Sequence, residues 1–345
     1  DRAALAIDSV GRLHLTWTEN ATGGARQVFY ARFEGGAWTL AEQLSHSIGY
    51  AGFPSLAVDA QDRPHVVWYG FDGAFYQVYY RRFQSGAWTA ERALTNENVD
   101  ATNPAIALGP AGDVNVVWFR QNRNATLNEI AYLRLVGDTL VENRTISPPN
   151  VDAIDPSLVV DGAGDVHVVW SALVGGVDRI QHAVRPTDAP WAVEGIVSPP
   201  GIGARHASLA LHHLGTPDNL RVVWEGTDGQ IYVQAGPAGW SAPSPLSFGG
   251  VNLYPSARWA QNDNPLCPDA IGIDVIWTHQ VGNVYTLGYA SLSSAAPCVP
   301  GPEGPLIILD VGLYVGIGIG AIAVVSIIVF VLWRRQRAPR PPGVA

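Results

Sequence analysis

Few residues in this 345-residue chain have the types and spacing that chemistry demands. His14, His65 and His167 each stand three residues before a tryptophan, and Asn115, Arg221 and Asp274 fill the same position elsewhere. Three imidazoles at one repeated position suggest a metal site. They belong to different repeats, however, so they would form a wide circle and not converge on one ion. The position reads instead as a polar strand start bonded to a turn. A second set is acidic. Asp100 and Asp152 occupy equivalent places in TNENVDATNP (95–104) and SPPNVDAIDP (147–156). Asn103, Asp155 and His206 share another, the last in SPPGIGARHA (198–207). Arranged around a channel, such groups could bind Ca²⁺ or sugar hydroxyls; the plainer reading is that they cap turns before proline. There is no Gly-rich phosphate loop, no His-Glu-x-x-His helix and no nucleophile elbow. With 30 acidic residues a carboxylate pair is easy to find and carries no weight, so no catalytic residue, metal ligand or cofactor is assigned.

The elements that must position these groups follow from a repeat. Trp17, Trp68, Trp118, Trp170, Trp224 and Trp277 are separated by 51, 50, 52, 54 and 53 residues. Their contexts match: ALAIDSVGRLHLTW, SLAVDAQDRPHVVW, AIALGPAGDVNVVW and SLVVDGAGDVHVVW, then two copies with insertions. Each unit resolves into four short runs rich in β-branched and aromatic residues, bounded by turn formers. In the second copy these are Ser55–Asp59, His65–Tyr69, Gln77–Phe83 and Trp88–Leu94. Four antiparallel strands repeated six times predict an all-β propeller in which neighbouring blades bury the Trp-centred faces. Blades are expected to start near residues 3, 54, 104, 156, 207 and 255, within a propeller of residues 1–298. The one-to-two and three-to-four turns share one face. The two-to-three loops and four-to-one linkers share the other, vary more, and carry the Asp100, Asn103, Asp152, Asp155 and His206 set.

The pattern DxxGxxHVVW, YYRR, GGxW resembles the sialidase-type propellers with BNR or Asp-box repeats, over about residues 1–295. The turns Glu34–Trp38, Gln84–Trp88 and Pro237–Trp240 keep the Gly and Trp of that box but lack its Ser and Asp, and blade three has Leu140 for the Trp. The resemblance implies the propeller fold. It also implies an activity resting on three arginines for a substrate carboxylate, a Tyr–Glu pair and an acid–base Asp. The Arg-Ile-Pro motif of the first arginine is missing, and the others have no matching positions.

Residues 311–333 carry no charge and would span roughly 34 Å as a helix, enough for a bilayer core. Arg334, Arg335, Arg337 and Arg340 follow at once, so the tail 334–345 is expected in the cytoplasm and the propeller outside, on a Pro/Gly stalk of residues 299–310. Gly312, Gly316 and Gly320 have a spacing that lets membrane helices pair. Residues 1–310 hold 17 arginines against 30 acids, which argues against a nucleic-acid partner. Asn20, Asn124 and Asn143 begin glycosylation sequons, and the two cysteines, Cys267 and Cys298, are expected to pair. The expectation is a single-pass plasma-membrane protein whose propeller recognises a carbohydrate or a surface protein. A sialidase-like glycoside hydrolase and a structural or adhesion protein are the alternatives.

Overall fold

The computed structural model describes residues 3–121, 126–211, 220–237, 239–247, 249–260, 271–282 and 284–294. Cys267, Cys298, Asn124, the glycines 312, 316 and 320, and the apolar run 311–333 lie outside these residues. Among the described residues no helix is long and apolar enough to cross a membrane.

The strands form six antiparallel sheets in chain order, the blades of a six-bladed propeller. Blade three shows the plan: Ala101–Leu108, Val114–Gln121, Asn128–Val136 and Thr139–Thr145, each paired with the next. Blade four repeats it with Asp152–Val160, Val166–Val174, Val177–Arg185 and Ala192–Ile196. In blades one and two the fourth strand is broken into two short pieces, Ala37–Trp38 with Glu42–Gln43 and Ala87–Trp88 with Arg92–Ala93. Blade six has three strands among the described residues. First strands of successive blades lie beside one another, so they form the inner ring.

Alternation explains the packing. A strand buried on both faces reads as a continuous apolar run, as in Val114–Gln121, whose Val114, Val116, Val117 and Trp118 are all buried. Each Trp fills the seam with the preceding blade. Trp68 packs with Val28, Tyr30 and Leu44 of blade one, Trp118 with Val67, Val78 and Tyr80 of blade two, and Trp170 with Val117, Ile130 and Tyr132 of blade three. Trp224 and Trp277 continue the series. Trp17 of blade one is only half-buried and stacks on Phe29.

A second device recurs. At the end of strand four, Ser45, Thr95, Ser147, Ser198 and Ser247 each accept a hydrogen bond from a third-strand N–H, at 2.8–3.1 Å. These hydroxyls close the backbone accounting where pairing stops.

The first strands begin earlier than the sequence pattern suggests, at Ala51, Ala101, Asp152, Ala204 and Val251. Each contains a β-bulge where the register slips, between Gly52 and Ser55, Thr102 and Ala105, Ile154 and Ser157, Arg205 and Ser208, and Leu253 and Ser256. The cause is local. Pro54, Pro104, Pro156 and Pro255 have no N–H to give the ladder, and a proline within a sheet is tolerated at a bulge.

Candidate functional site

The bulges build the candidate site. The residue before each proline, or before Ala207 in blade five, takes a left-handed backbone: Phe53, Asn103, Asp155, His206 and Tyr254, with φ between 48° and 52°. Such values are uncommon outside glycine and cost of order 1–3 kcal/mol each. Five equivalent strained positions on the inner strands, near the varied face, mark a ring around the axis. Asn103, Asp155 and His206 therefore lie inside strand one, at its bulge, and not just before it.

The structure brings these three together across blades. Asn103 Nδ2 donates to Asp155 Oδ1 at 2.9 Å. His206 Nε2 lies 3.4 Å from Asp155 Oδ2, and its Nδ1 lies 2.9 Å from Glu225 Oε2. The same Glu225 oxygen accepts the Tyr254 N–H at 3.1 Å, and the Tyr254 ring packs on His206 with centroids 4.5 Å apart. A continuous polar chain thus runs Asn103–Asp155–His206–Glu225–Tyr254 through blades three to six. The side chains of Asp155, His206 and Glu225 are 11%, 17% and 8% exposed, so the two carboxylates sit in a medium poorer in water than the surface.

Blade two adds aromatics to the ring. Phe53 stacks on Tyr69 at 5.5 Å, Tyr69 meets Tyr76 edge-on at 5.2 Å, and Tyr50 leans on both. Burial raises the hydroxyl pKa of Tyr50 and of Tyr69, which keeps both phenols protonated donors. Gly52 makes this possible: a Cβ there would sit 2.2 Å from the Tyr50 hydroxyl.

Asp100 and Asp152 do a different job. Asp100 Oδ1 accepts the Tyr76 N–H at 2.9 Å, and Asp152 Oδ1 accepts the Asn128 N–H and side-chain amide at 2.7 and 2.9 Å. Each pins a neighbouring two-to-three loop to the linker, the turn-capping alternative.

Phe53, Tyr254, Tyr69 and Glu225 are absent from the sequence-derived set. Two signals could have found them. Phe53 and Tyr254 precede a proline in the same register as Asn103 and Asp155. Tyr69 and Glu225 directly follow a repeat Trp, as does Ser171, whose Oγ accepts the His206 N–H at 3.0 Å.

On the opposite face the repeated histidines are buried and structural. Asp8 Oδ2, His14 and the Tyr30 hydroxyl form one chain at 3.1 and 2.7 Å, and Asp59, His65 and Tyr80 another at 3.3 and 2.8 Å. Burial outweighs the carboxylate's pull and lowers the pKa of His14 and of His65. Burial opposes ionisation of Asp8 and Asp59, yet hydrogen bonds from Arg12 and His14, and from Arg63 and His65, lower both. In blade four a stacked pair replaces the tyrosine: His167 Nδ1 lies 3.3 Å from His182 Nε2, and His182 Nδ1 reaches Glu194 at 2.9 Å. No group of three or more His, Cys, Asp or Glu among the described residues could hold a metal ion.

A three-arginine clamp does not assemble around the ring among the described residues. On this face Arg120 is taken up by Glu97 and Glu129, Arg179 by the Pro199 carbonyl, and Arg205 by Asp178. Asn20 and Asn143 are exposed, the first ending strand two of blade one, the second on the outer strand of blade three.

No protein-family model matches the chain, and neither does any curated protein. Solved structures do. The α-L-arabinofuranosidase Arb93A of Fusarium graminearum superposes with TM-score 0.59 at 13% identity, over 84% of this chain and 92% of that one. The Aleuria aurantia lectin, a six-bladed β-propeller with a fucose recognition mode, gives 0.53 at 16% identity, over 88% and 96%. The subtype N11 neuraminidase-like protein of the A/flat-faced bat/Peru (H18N11) isolate gives 0.51 at 8% identity, over 86% and 88%. The likeness is one of fold. At these identities the three proteins, two of them named for a sugar-directed activity or binding mode, carry the architecture to this chain and nothing of its chemistry.

Proposed function

We propose that this protein is a carbohydrate-recognition propeller whose ligand seats over the inner ring. The reading rests on the chain Asn103–Asp155–His206–Glu225–Tyr254 beside the Phe53–Tyr69 stack. Carboxylates and an amide are what hydroxyl groups hydrogen-bond to, and aromatic faces pack against the C–H face of a sugar ring. The polar groups hold one another in place before a ligand arrives, which lowers the cost of binding. The fold's occurrence in an arabinofuranosidase and a fucose-binding lectin supports the reading without deciding it. The run 311–333 and the arginines after it support display at the cell surface on a single membrane helix.

One observation favours hydrolysis as a second reading: two carboxylates, Asp155 and Glu225, flank a single imidazole, a set suited to acid–base work. Both carboxylates are already engaged by neighbours, so recognition ranks first. A glycan array probed with the purified protein tests the proposal. Binding lost in Asp155→Ala and Tyr254→Ala is expected. Absence of saturable binding to any glycan refutes it, and release of sugar from a bound glycan would turn the assignment to the hydrolase.

A further inference from the structure

The repeated histidines are of two kinds. In blades one and two each ring faces one carboxylate and one hydroxyl: Nε2 meets Asp8 or Asp59, and Nδ1 meets the Tyr30 or Tyr80 hydroxyl. A neutral imidazole satisfies both, since Nε2–H donates and Nδ1 accepts the phenol hydrogen. Blade four lacks that balance. Its contacts run from Asp161 Oδ2 to His167 Nε2 at 3.9 Å, from His167 Nδ1 to His182 Nε2 at 3.3 Å, and from His182 Nδ1 to Glu194 Oε2 at 2.9 Å. Both ends are carboxylates, which only accept when ionised. Three contacts need three hydrogens, and two neutral rings carry two.

The shortage falls at one end. Asp161 Oδ2 and His167 Nε2 are buried without a hydrogen-bond partner, on side chains 1% and 2% exposed. In blades one and two Arg12 and Arg63 also reach the matching carboxylate oxygen, whereas blade four has Asp165 in that place. One more proton fills the gap. With a hydrogen on His167 Nε2 and on both nitrogens of His182, every contact is made. The charge then rests on His182 beside Glu194, whose pKa is lowered first by the His182 hydrogen bond. His167 stays neutral, its pKa lowered by burial and then by charge on His182. A second proton would put two positive charges on rings stacked with centroids 5.5 Å apart. Among the described residues, the titratable groups facing the pair are Asp161, Asp165 and Glu194. Blade five turns the edge of Trp240 to His182, with Gln234 and Tyr232 farther along the seam. Asp178 and Arg205 pair at the seam's other end. Arg185 alternates to the face toward blade three, where Glu142 lies 3.8 Å away, and Arg221 to the face toward blade six.

The same seam carries a contact of the ring. His167 and Ser171 lie on one face of one strand, four residues or about 13 Å apart. Ser171 Oγ accepts the His206 N–H from blade five. We infer that the histidine pair of blade four is a one-proton switch: an imidazolium at His182, held between Glu194 and His167, tightens the seam between blades four and five, and its loss loosens His206 from Ser171. The sign is opposite to that of His14 and His65, whose surroundings are complete without the proton. The switch stands on the seam alone, whatever the ring binds.

The test is nuclear magnetic resonance of the imidazole nitrogens in the full chain in detergent, between about pH 5 and pH 8. At the acid end an imidazolium at His182 beside a neutral, Nε2-protonated His167 is expected, with the amide of His206 protected from exchange about fivefold more than at the alkaline end, after correction for the intrinsic rate. Two variants keep the outcome clear of misfolding. Glu194→Gln keeps size and an acceptor but removes the charge, and should move the protonation of His182 to lower pH by about one unit or more. His182→Tyr restores the carboxylate–imidazole–phenol set of blades one and two, so it should fold and show His206 protection that no longer varies with pH. Two neutral rings at the acid end, two imidazolium rings, an unmoved titration in Glu194→Gln, or equal pH dependence of His206 protection in wild type and His182→Tyr each overturns the inference.

Discussion

Acid should loosen this propeller through its buried imidazoles, and His65 is the place to measure it. Its ring is 3% exposed, accepts the Tyr80 O–H on Nδ1 and donates from Nε2 to Asp59. Burial, ahead of the opposing pull of Asp59, lowers its pKa below 6.5; Arg82 and Arg63 push the same way. The folded state therefore resists a proton that the unfolded chain accepts. Stability is complete above the unfolded pKa and is lost as pH falls from about 6.5 toward the folded value. Were the folded ring to take no proton at all, the loss between pH 7 and pH 5 would reach about 2 kcal/mol for this histidine. His14 and His167 have pKa values lowered first by burial too. Three such losses approach about 6 kcal/mol, a large part of a domain's usual 5–15 kcal/mol. The fold itself supplies the control. Blade three has Asn115 at this position, accepting from Tyr132 and donating to Asp113 without titrating. His65→Asn should be less stable at pH 7 yet lose about 1–2 kcal/mol less than the wild type on going to pH 5. Urea unfolding at both pH values measures this. Equal pH dependence of the two proteins would refute the claim that His65 is held neutral by burial.

Four further outcomes are expected. Gly52→Ala puts a methyl against the Tyr50 hydroxyl, so the aromatic cluster should rearrange, with altered near-ultraviolet circular dichroism and weaker glycan binding but unchanged far-ultraviolet signal. Trp118→Ala should cost about 3–5 kcal/mol by opening a cavity in a closed seam, whereas Trp17→Ala, on a half-buried ring, should cost distinctly less in the same denaturation assay. Asp152→Ala should free the Asn128 loop at about 1 kcal/mol, seen as faster amide exchange there, and leave glycan affinity nearly unchanged. Asp155→Ala should do the reverse, abolishing binding by releasing Asn103 and His206.

Much of the architecture is legible in the chain because its physics is local and repeated. Period-two alternation, turn residues and a tryptophan about every 50 residues give six blades and the seams they pack into. Strand ends were less legible. The bulge draws linker residues into strand one, because the ladder can skip a proline and resume, and no propensity announces that.

The site divides the same way. By itself the sequence determined that Asn103, Asp155 and His206 share one register and that the varied loops share one face. Tertiary structure decided which of the acids line the ring and which cap loops. Asn103 and Asp155 meet though 52 residues apart, and Glu225 links His206 to the next blade. Such contacts cross seams between blades, and only the closing of blades around an axis brings them within hydrogen-bonding distance. The left-handed backbone at each bulge changes which way a side chain points, and strand alternation read along the chain does not carry that.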